Sequence, residues 1–254
     1  MISDLMSKRI GLVTGCGKGI GLACAREFLK KNNDGILLGI SRSRTLEIGR
    51  LEEIYKERFF FVELNINQHQ EVNSAITSFK VSHGEINFAI CNAGMRSRIS
   101  ILDATMDNYR AVLETNTISQ INIVRHLCKS RTDDSKPLSV VVISSIVGQR
   151  GFTDLSTYGV SKAALEGFVK SASIELADRN IQINSLNPGF TKSSYKNGFK
   201  ENKKELYRWT LEQTPLKRWG ECQEIANVAL FLASSTNSYM TGSVVYCDGG
   251  WTSK

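Results

Sequence analysis

The chain has few of the features that mark linkers, membrane spans or secretory leaders. It contains three prolines in 254 residues, and no stretch approaches the ~18 consecutive apolar residues of a membrane-spanning helix. Residues 1–9 lack an apolar core and a small-residue cleavage site, so we expect no secretory signal. With 41% hydrophobic residues and no internal repeat, the sequence predicts one globular domain without membrane association.

Cysteine and histidine are scattered. The six cysteines form no C-x-x-C pair, and His69, His83 and His126 share no spacing typical of metal ligands. We therefore expect free thiols in a reducing cytoplasm, no disulfide and no metal site. No strong nucleophile is accompanied by a histidine partner, so hydrolytic catalysis has little support.

Short apolar runs alternate with helical stretches along the chain. The predicted strands are 9–14, 35–41, 58–64, 86–91, 138–144, 180–187 and 243–247. The predicted helices are about 19–31, 45–56, 69–81, 104–130, 156–178, 195–211 and 221–233. Such alternation predicts an α/β fold, a doubly wound parallel sheet of seven strands with helices on both faces. A ligand is expected beyond the carboxyl ends of the strands.

A glycine-rich turn follows the first predicted strand. Four glycines fall between residues 15 and 21, directly before a predicted helix. Glycines let the backbone approach a pyrophosphate, and a helix N-terminus supplies free N–H groups. The strict G-x-G-x-x-G spacing fails at Ile20, but T-G-x-x-x-G-x-G fits from Thr14 to Gly21. The turn is therefore expected to hold a dinucleotide phosphate, since a merely flexible turn would need fewer glycines.

Tyr158 and Lys162 lie four residues apart in a predicted helix. This spacing places both side chains on one helix face, about 5–6 Å apart at Cβ. A neighbouring ammonium stabilises a phenolate, so the pair could exchange a proton with an oxygen beside the helix. Taken alone, the pair favours an ordinary solvated helix face, and other features must decide.

Further motifs follow in order along the chain. They are Thr14–Gly21, Cys91-Asn-Ala-Gly94, Asn116, Ser144-Ser145, Tyr158-x-x-x-Lys162, Asn187-Pro-Gly189 and Asp248-Gly-Gly250. In this order the chain resembles a short-chain dehydrogenase/reductase, and its C-terminal stretch most resembles 3-oxoacyl-carrier-protein reductases. The resemblance implies one Rossmann-like, NADP(H)-binding oxidoreductase domain over residues 1–254, with a substrate lid at about 191–218. It also implies a homotetramer.

Charge after the second strand favours NADP(H). Proteins that bind NAD usually carry an acidic residue there to hold the ribose diol. Here Ser41, Arg42 and Arg44 follow the strand, and guanidinium groups suit a 2′-phosphate. Lys18, in the glycine turn, stands where many NADP-preferring members of the family carry a base.

The resemblance implies further cofactor contacts. Asn65 stands where the family commonly has an aspartate against the adenine. Thr191 and Ser193 occupy positions that usually hold an apolar residue and a threonine, which leaves the partner of the nicotinamide carboxamide open. The implied cofactor-binding residues are Gly15, Lys18, Gly19, Ile20, Gly21, Ser41, Arg42, Asn65, Ile66, Asn92, Ala93, Gly94, Tyr158, Lys162, Pro188, Gly189, Thr191 and Ser193.

Four catalytic residues are implied in the same way. Ser145, thirteen residues before Tyr158, would orient the substrate carbonyl, and Tyr158 would protonate its oxygen. Lys162 would hold the nicotinamide ribose and lower the pKa of Tyr158. Asn116 matches the family asparagine that kinks its helix and positions a water for proton relay.

The substrate is less constrained. Residues 191–218 carry eight bases against three acids, Arg96 and Arg98 follow the Asn-Ala-Gly turn, and the net charge is +7. Such charge would concentrate an anion, for example a thioester on an acidic carrier protein, a sugar phosphate or a nucleotide sugar. Solvated lysines that only promote solubility explain it equally well. Arg179 and either Lys129 or Arg131 lie near positions where carrier-protein reductases present docking cations.

Three function classes stay open. An NADPH-dependent carbonyl reductase of the 3-oxoacyl type leads, and a sugar or polyol dehydrogenase of the same fold is the alternative. A non-catalytic or nucleic-acid-binding relative is disfavoured, because the four catalytic positions are intact and the basic residues lack interleaved stacking aromatics. Aromatic residues of the lid could line an apolar pocket or anchor its helices: Phe190, Tyr195, Phe199, Tyr207 and Trp209.

Overall fold

A computed structural model describes residues 8–193 and 204–253 of the chain. Seven parallel strands form one sheet in the order β3-β2-β1-β4-β5-β6-β7. The strands are β1 Ile10–Thr14, β2 Ile36–Ser41, β3 Phe59–Glu63, β4 Phe88–Cys91, β5 Leu138–Ile143, β6 Ile181–Pro188 and β7 Val244–Cys247. The predicted doubly wound, seven-stranded sheet is confirmed.

The described residues contain eight α-helices. They are α1 Gly19–Lys31, α2 Leu46–Tyr55, α3 His69–His83, α4 Met106–Leu113, α5 Ser119–Lys129, α6 Ser156–Leu176, α7 Lys204–Gln213 and α8 Cys222–Leu232. The predicted helix 104–130 is interrupted by one turn of π-helix, Glu114–Ile118, between α4 and α5. The start of the predicted helix 195–211 lies outside the described residues. No helix in 8–193 or 204–253 is long and apolar enough to cross a membrane.

The winding of the chain reverses at β1. This strand pairs with β2 on one side and with β4 on the other, so Val13 lies between Gly39 and Ile90. In doubly wound sheets a crevice opens beyond the carboxyl ends of the strands at such a point. The reversal therefore places the crevice above the end of β1, where the glycine turn begins.

Apolar side chains cover both faces of the sheet. On one face Leu12 belongs to a buried cluster with Ile76 of α3 and Val169 of α6. On the other face Val13 belongs to a cluster with Phe28 of α1 and Ala229 of α8. Successive side chains of a strand point to opposite faces, so β1 is buried throughout and its sequence is a nearly continuous apolar run.

Side-chain caps fix the start of two helices near the crevice. The Thr45 hydroxyl accepts a hydrogen bond from the Ile48 N–H at 3.3 Å, where α2 begins after β2. Thr105 and Asn108 form a reciprocal capping box at the start of α4. Such caps satisfy N–H groups that have no partner within the helix. They set the lengths of the loops that leave the carboxyl ends of β2 and β4.

Candidate active site

A cleft of about 420 Å³ opens above the carboxyl ends of the strands. Ser145, Tyr158 and Lys162 line it, whereas Asn116 does not. Every residue expected to bind the cofactor also lines it, except Gly21. The fold thus brings residues from both halves of the chain to one site.

The glycine turn is shaped for close approach to a ligand. Gly15 and Gly19 have φ values of 66° and 60°, which favour glycine. Gly21 lies behind the cleft, where a Cβ would stand 2.3 Å from the Gly15 carbonyl oxygen. Helix α1 begins at Gly19, and Lys18 before it makes no side-chain cap. The first N–H groups of α1 are therefore suited to a phosphate.

Strands β1 and β4 are joined at their ends by a hydrogen-bonded clasp. The Thr14 hydroxyl oxygen accepts from the N–H groups of Asn92 and Ala93, each at 3.1 Å. In return, Asn92 Nδ2 donates to the carbonyl oxygens of Thr14 and Gly15, each at 3.2 Å. Asn92 lines the cleft, but its amide nitrogen holds the glycine turn in place.

Only one of the two arginines after β2 lines the cleft. Arg42 is exposed and lines it together with Lys18 and Ser41. Arg44 instead forms an ion pair with Glu52 of α2, and its guanidinium lies 5.2 Å from the ring centroid of Phe61. Of the two guanidinium groups expected at this corner, Arg42 lines the cleft and Arg44 is turned to α2 and β3.

Ser145, Tyr158 and Lys162 meet where β5 and α6 face each other. A hydrogen-bonding interaction with the Ser145 side chain is one of the influences on the pKa of Tyr158. Lys162 Nζ lies 5.6 Å from the Tyr158 ring centroid and donates to the Ile143 carbonyl oxygen at 2.7 Å. Lys162 is 4% exposed, and burial lowers its pKa from 10.5 to about 8. Lys162 therefore loses its proton at a lower pH than a solvated lysine does.

The pKa of Tyr158 does not shift in the expected direction. Part of the side chain faces the cleft, but surrounding protein atoms make burial the largest influence, and burial raises its pKa above 10.0. The influences that lower it come from the charge of Arg96 and the hydrogen bond of Ser145. The expectation that Lys162 lowers this pKa is not met, because the Lys162 ammonium is turned to a backbone carbonyl.

Asn116 lies in the π-helical turn and is fully buried. Its Oδ1 accepts from the Met95 N–H at 2.7 Å, and its Nδ2 donates to the Met95 carbonyl oxygen at 2.8 Å. Nδ2 also donates to Ser161 Oγ at 3.0 Å. Asn116 therefore clamps the backbone of a residue that lines the cleft, and the interrupted helix agrees with the expected kink.

An aromatic wall closes part of the cleft. Phe152, Phe190 and Trp219 line it, and Phe190 stacks on Trp219 with centroids 5.5 Å apart. Trp251 packs against both phenylalanines, at 5.9 Å from Phe152 and 5.0 Å from Phe190. Sequence reasoning missed Phe152 and Trp219 as pocket residues. The four rings come from separate loops, so no periodic pattern links them.

The described aromatics of the lid divide between the two expected roles. Phe190 lines the cleft, whereas Tyr207 and Trp209 anchor α7. Tyr207 packs on Trp219 at 5.0 Å, and Trp209 packs on Trp251 at 5.4 Å. Two more aromatics of the predicted lid lie outside the described residues: Tyr195 and Phe199.

Several basic residues considered for anion binding are held by acids of the same chain. Asp134 binds Arg179 through two hydrogen bonds of 3.0 Å and Arg131 through one of 3.1 Å. Lys192 pairs with Glu221. Arg96 lines the cleft, and its charge is one of the influences that lower the pKa of Tyr158. Three lysines of the predicted lid lie outside the described residues: Lys196, Lys200 and Lys203.

Comparison with known proteins decides the family. A family model described as enoyl-(acyl carrier protein) reductase matches residues 15–252. The chain belongs to the short-chain dehydrogenase/reductase family. This confirms the predicted Rossmann-like fold and the predicted class, an oxidoreductase that acts on CH–OH groups.

Individual relatives agree over nearly the whole chain. The chain is 30% identical over 254 residues to a 3-oxoacyl-[acyl-carrier-protein] reductase of Chlamydia muridarum, covering 98% of this chain and 99% of that protein. It is 26% identical over 244 residues to a 2-dehydro-3-deoxy-D-gluconate 5-dehydrogenase of Formosa agariphila, covering 95% and 92%. The solved structure of ElxO with NADP bound has a TM-score of 0.89 at 28% identity, covering 98% and 100%.

The buried ammonium of Lys162 gives a testable pH dependence. Its pKa is about 8 when folded and 10.5 ordinarily, so between these values the unfolded chain binds more protons than the folded protein. Stability then rises with pH, because the cost of burying the charge disappears as the amine deprotonates. We expect wild type to gain up to about 3 kcal/mol relative to Lys162→Met across this window.

Urea unfolding of both proteins across this pH range measures the difference. Lys30→Met is the matched control, because Lys30 is an exposed lysine of α1 and its removal should not reproduce this rise. A flat difference for Lys162→Met as well would contradict the expectation.

Proposed function

We propose that this protein is an NADP(H)-dependent oxidoreductase that interconverts a carbonyl and a secondary alcohol by hydride transfer. The observation that carries this proposal is that Ser145, Tyr158 and Lys162 line the same cleft as the glycine turn. The influence of the Ser145 side chain on the pKa of Tyr158 supports a proton donor and a carbonyl-orienting hydroxyl next to each other there.

The residues of the cleft fit NADP(H). Gly15 and Gly19 adopt the positive φ values that bring backbone N–H groups close to a pyrophosphate, at the start of α1. Arg42 and Lys18 supply cations for a 2′-phosphate, and Lys162 lies where it can hold the nicotinamide ribose. When bound, the nicotinamide supplies the hydride.

Tyr158 is the proton donor in the proposed reduction. Because burial raises its pKa, the phenol is protonated at neutral pH, which is the form that can donate to a carbonyl oxygen. Ser145 would orient the same oxygen and stabilise the negative charge that develops on it. The positive charge of Arg96 stabilises the phenolate that remains after transfer.

Asn116 is proposed to act through the backbone. Both polar atoms of its side chain are used by Met95 and Ser161, so it does not contact a ligand in the cleft. Its contribution is to hold the loop after β4 and the π-helical turn in one geometry. Positioning of a water for proton relay beside this turn stays a prediction.

A 3-oxoacyl thioester, or another carbonyl compound with an apolar body, is the favoured substrate. The aromatic wall offers an apolar surface on which an acyl chain would pack. Arg131 and Arg179, near the expected carrier-protein docking positions, are both paired with the exposed Asp134. The similarity to the Chlamydia muridarum reductase supports the same substrate class.

A sugar-acid dehydrogenase is the second candidate. Arg96 lines the cleft near Tyr158 and could bind the carboxylate of a keto sugar acid. The similarity to the Formosa agariphila dehydrogenase supports it. A lid at 191–218 within one domain stays a prediction for either substrate, because residues 194–203 lie outside the described segments.

The thiols favour the cytoplasm as the proposed compartment. All six cysteines are free, and burial raises the pKa of Cys16, Cys24 and Cys91 to about 12. Free thiols are typical of proteins kept in a reducing compartment.

Exchange of Tyr158 for phenylalanine tests the proton donor. We expect Tyr158→Phe to lower NADPH-dependent turnover at least about 100-fold, because general acid catalysis contributes 10²–10⁴-fold. The NADPH dissociation constant should stay within about twofold, since the ring and Lys162 remain. The assay follows NADPH consumption with acetoacetyl-coenzyme A, a keto sugar acid and a small ketone.

Tyr55→Phe, which also removes one hydroxyl, is the control and should keep wild-type turnover, because Tyr55 lies at the end of α2 away from the cleft. Substantial turnover by Tyr158→Phe would exclude the proposed donor. Wild type that reduces none of the three carbonyls would count against the proposed function.

Arg42 tests the cofactor preference. We expect Arg42→Ala to raise the NADPH dissociation constant about 10- to 100-fold, as loss of a charge-assisted hydrogen bond to phosphate would. The NADH dissociation constant should change little, because NADH lacks the 2′-phosphate. Arg44→Ala is the matched control, since Glu52 and Phe61 hold that side chain outside the cleft. Fluorescence titration measures both constants, and equal effects on the two cofactors would refute the assignment.

Homo-oligomer formation is proposed from the outer face of α6. Ile174 is 81% exposed there, and Val160, Ala163 and Gly167 are exposed on the same helix. We expect wild type to be an oligomer by light scattering and Ile174→Glu to shift it to smaller species, because a buried charge without a partner opposes association. Val81→Glu, at an equally exposed apolar position on α3, is the matched control and should leave the oligomeric state unchanged. A monomeric wild type would contradict the proposal.

A further inference from the structure

A buried carboxylate lies behind the catalytic serine. Glu166, one helical turn beyond Lys162 on α6, is 2% exposed. Its Oε1 accepts hydrogen bonds from Asn187 Nδ2 at 2.6 Å and from Ser144 Oγ at 3.2 Å. Its Oε2 accepts from Gln149 Nε2. All three donors are neutral, so the carboxylate is held by hydrogen bonds from uncharged groups.

Such a group is costly to keep inside a protein. Transfer of a carboxylate from water costs several kcal/mol even when hydrogen bonds replace hydration, and an apolar side chain of similar size is often neutral or better. The neighbouring core positions of α6, Leu165 and Val169, are apolar. Glu166 is therefore expected to do more than fill the core.

The three donors surround Ser145. Ser144 precedes it, Gln149 follows it within the same loop, and Asn187 reaches it from β6. The same Asn187 Nδ2 that donates to Glu166 also donates to the Ser145 carbonyl oxygen at 3.2 Å. The loop also packs directly on the carboxylate, because a Cβ on Gly148 would lie 2.4 Å from Glu166 Oε1. One carboxylate thus holds the residues on both sides of Ser145, through Ser144 and Gln149, and it holds the Ser145 backbone through Asn187.

We propose that Glu166 is a positioning residue that fixes Ser145 for the reaction, through Asn187, Ser144 and Gln149. This inference rests on the proposed function, because it concerns the serine of the same site. Glu166 does not line the cleft, so it would act on the substrate only through the loop that carries Ser145.

Displacement of Ser145 should raise the pKa of Tyr158. The Ser145 hydrogen bond is one of the influences that lower the pKa of Tyr158. Two charged side chains of the described segments also face Tyr158: Arg96 after β4 and Lys162 on α6. Neither is hydrogen-bonded to Glu166, so loss of the carboxylate should change the contribution of Ser145 and leave theirs in place.

The test is a double-mutant cycle with Ser145. Glu166→Met removes the acceptors at similar volume, and Glu166→Gln keeps one of them. We expect Glu166→Met to lower kcat about tenfold or more, since small misplacements of catalytic groups have effects of this size. Glu166→Gln should lose less than about threefold, because one carbonyl oxygen can still accept from Asn187 and Ser144. In a Ser145→Ala background, Glu166→Met should cause no more than about a twofold further loss.

Two more readouts separate positioning from general damage. The NADPH dissociation constant should stay within about twofold, and the rise of alcohol oxidation with pH should move to higher pH in Glu166→Met. Thr157→Val is the matched control, because the Thr157 hydroxyl is buried on the same helix without a hydrogen-bond partner in the described chain. Its kcat and pH profile should equal those of wild type.

The outcomes distinguish this inference from the proposed function. Wild type that is inactive on every carbonyl tested means that the proposed function has failed. Active wild type with unchanged kcat in Glu166→Met overturns the positioning role, as does an equal loss in both backgrounds or a parallel rise in the NADPH dissociation constant. If Glu166→Met does not fold, Asn187→Ala carries the same cycle, since Asn187 donates to both Glu166 and Ser145.

Discussion

The clasp between Thr14 and Asn92 holds the two central strands together at the edge where the cleft opens. The glycine turn leaves β1 from this point, and the loop through Gly94 and Met95 leaves β4 from it. Because the winding of the sheet reverses here, these loops diverge to opposite sides and leave the crevice between them. The clasp consists of one hydroxyl and one side-chain amide. Its hydrogen bonds keep the ends of β1 and β4 together while the glycine turn stays open to a ligand.

The features that the sequence predicts well are local ones. The glycine turn requires particular backbone angles, and only glycine adopts them readily at Gly15 and Gly19. Tyr158 and Lys162 share a face because of helix geometry, and Ser145 follows a strand whose end is marked by its apolar run. Alternating strands and helices were enough to predict the sheet and its seven strands, because burial on both faces leaves a clear apolar pattern.

What the sequence could not supply comes from contacts between distant segments. Arg42 and Arg44 are alike in the sequence, and only the approach of Glu52 separates them. The direction of the Tyr158 pKa shift is set by burial, which spacing on a helix does not reveal. The aromatic wall and the hydrogen bonds around Glu166 join residues whose separation along the chain carries no signal.

The side-chain amide of Asn116 is hydrogen-bonded to both backbone groups of Met95, the N–H and the carbonyl oxygen. Fixing the backbone of one residue costs roughly 1–2 kcal/mol of conformational entropy. At Met95 that entropy is already lost when the chain folds, so a molecule that enters the cleft does not have to order this part of the wall. This part of the cleft wall is therefore preorganised, and a ligand would bind without the entropy cost of ordering it.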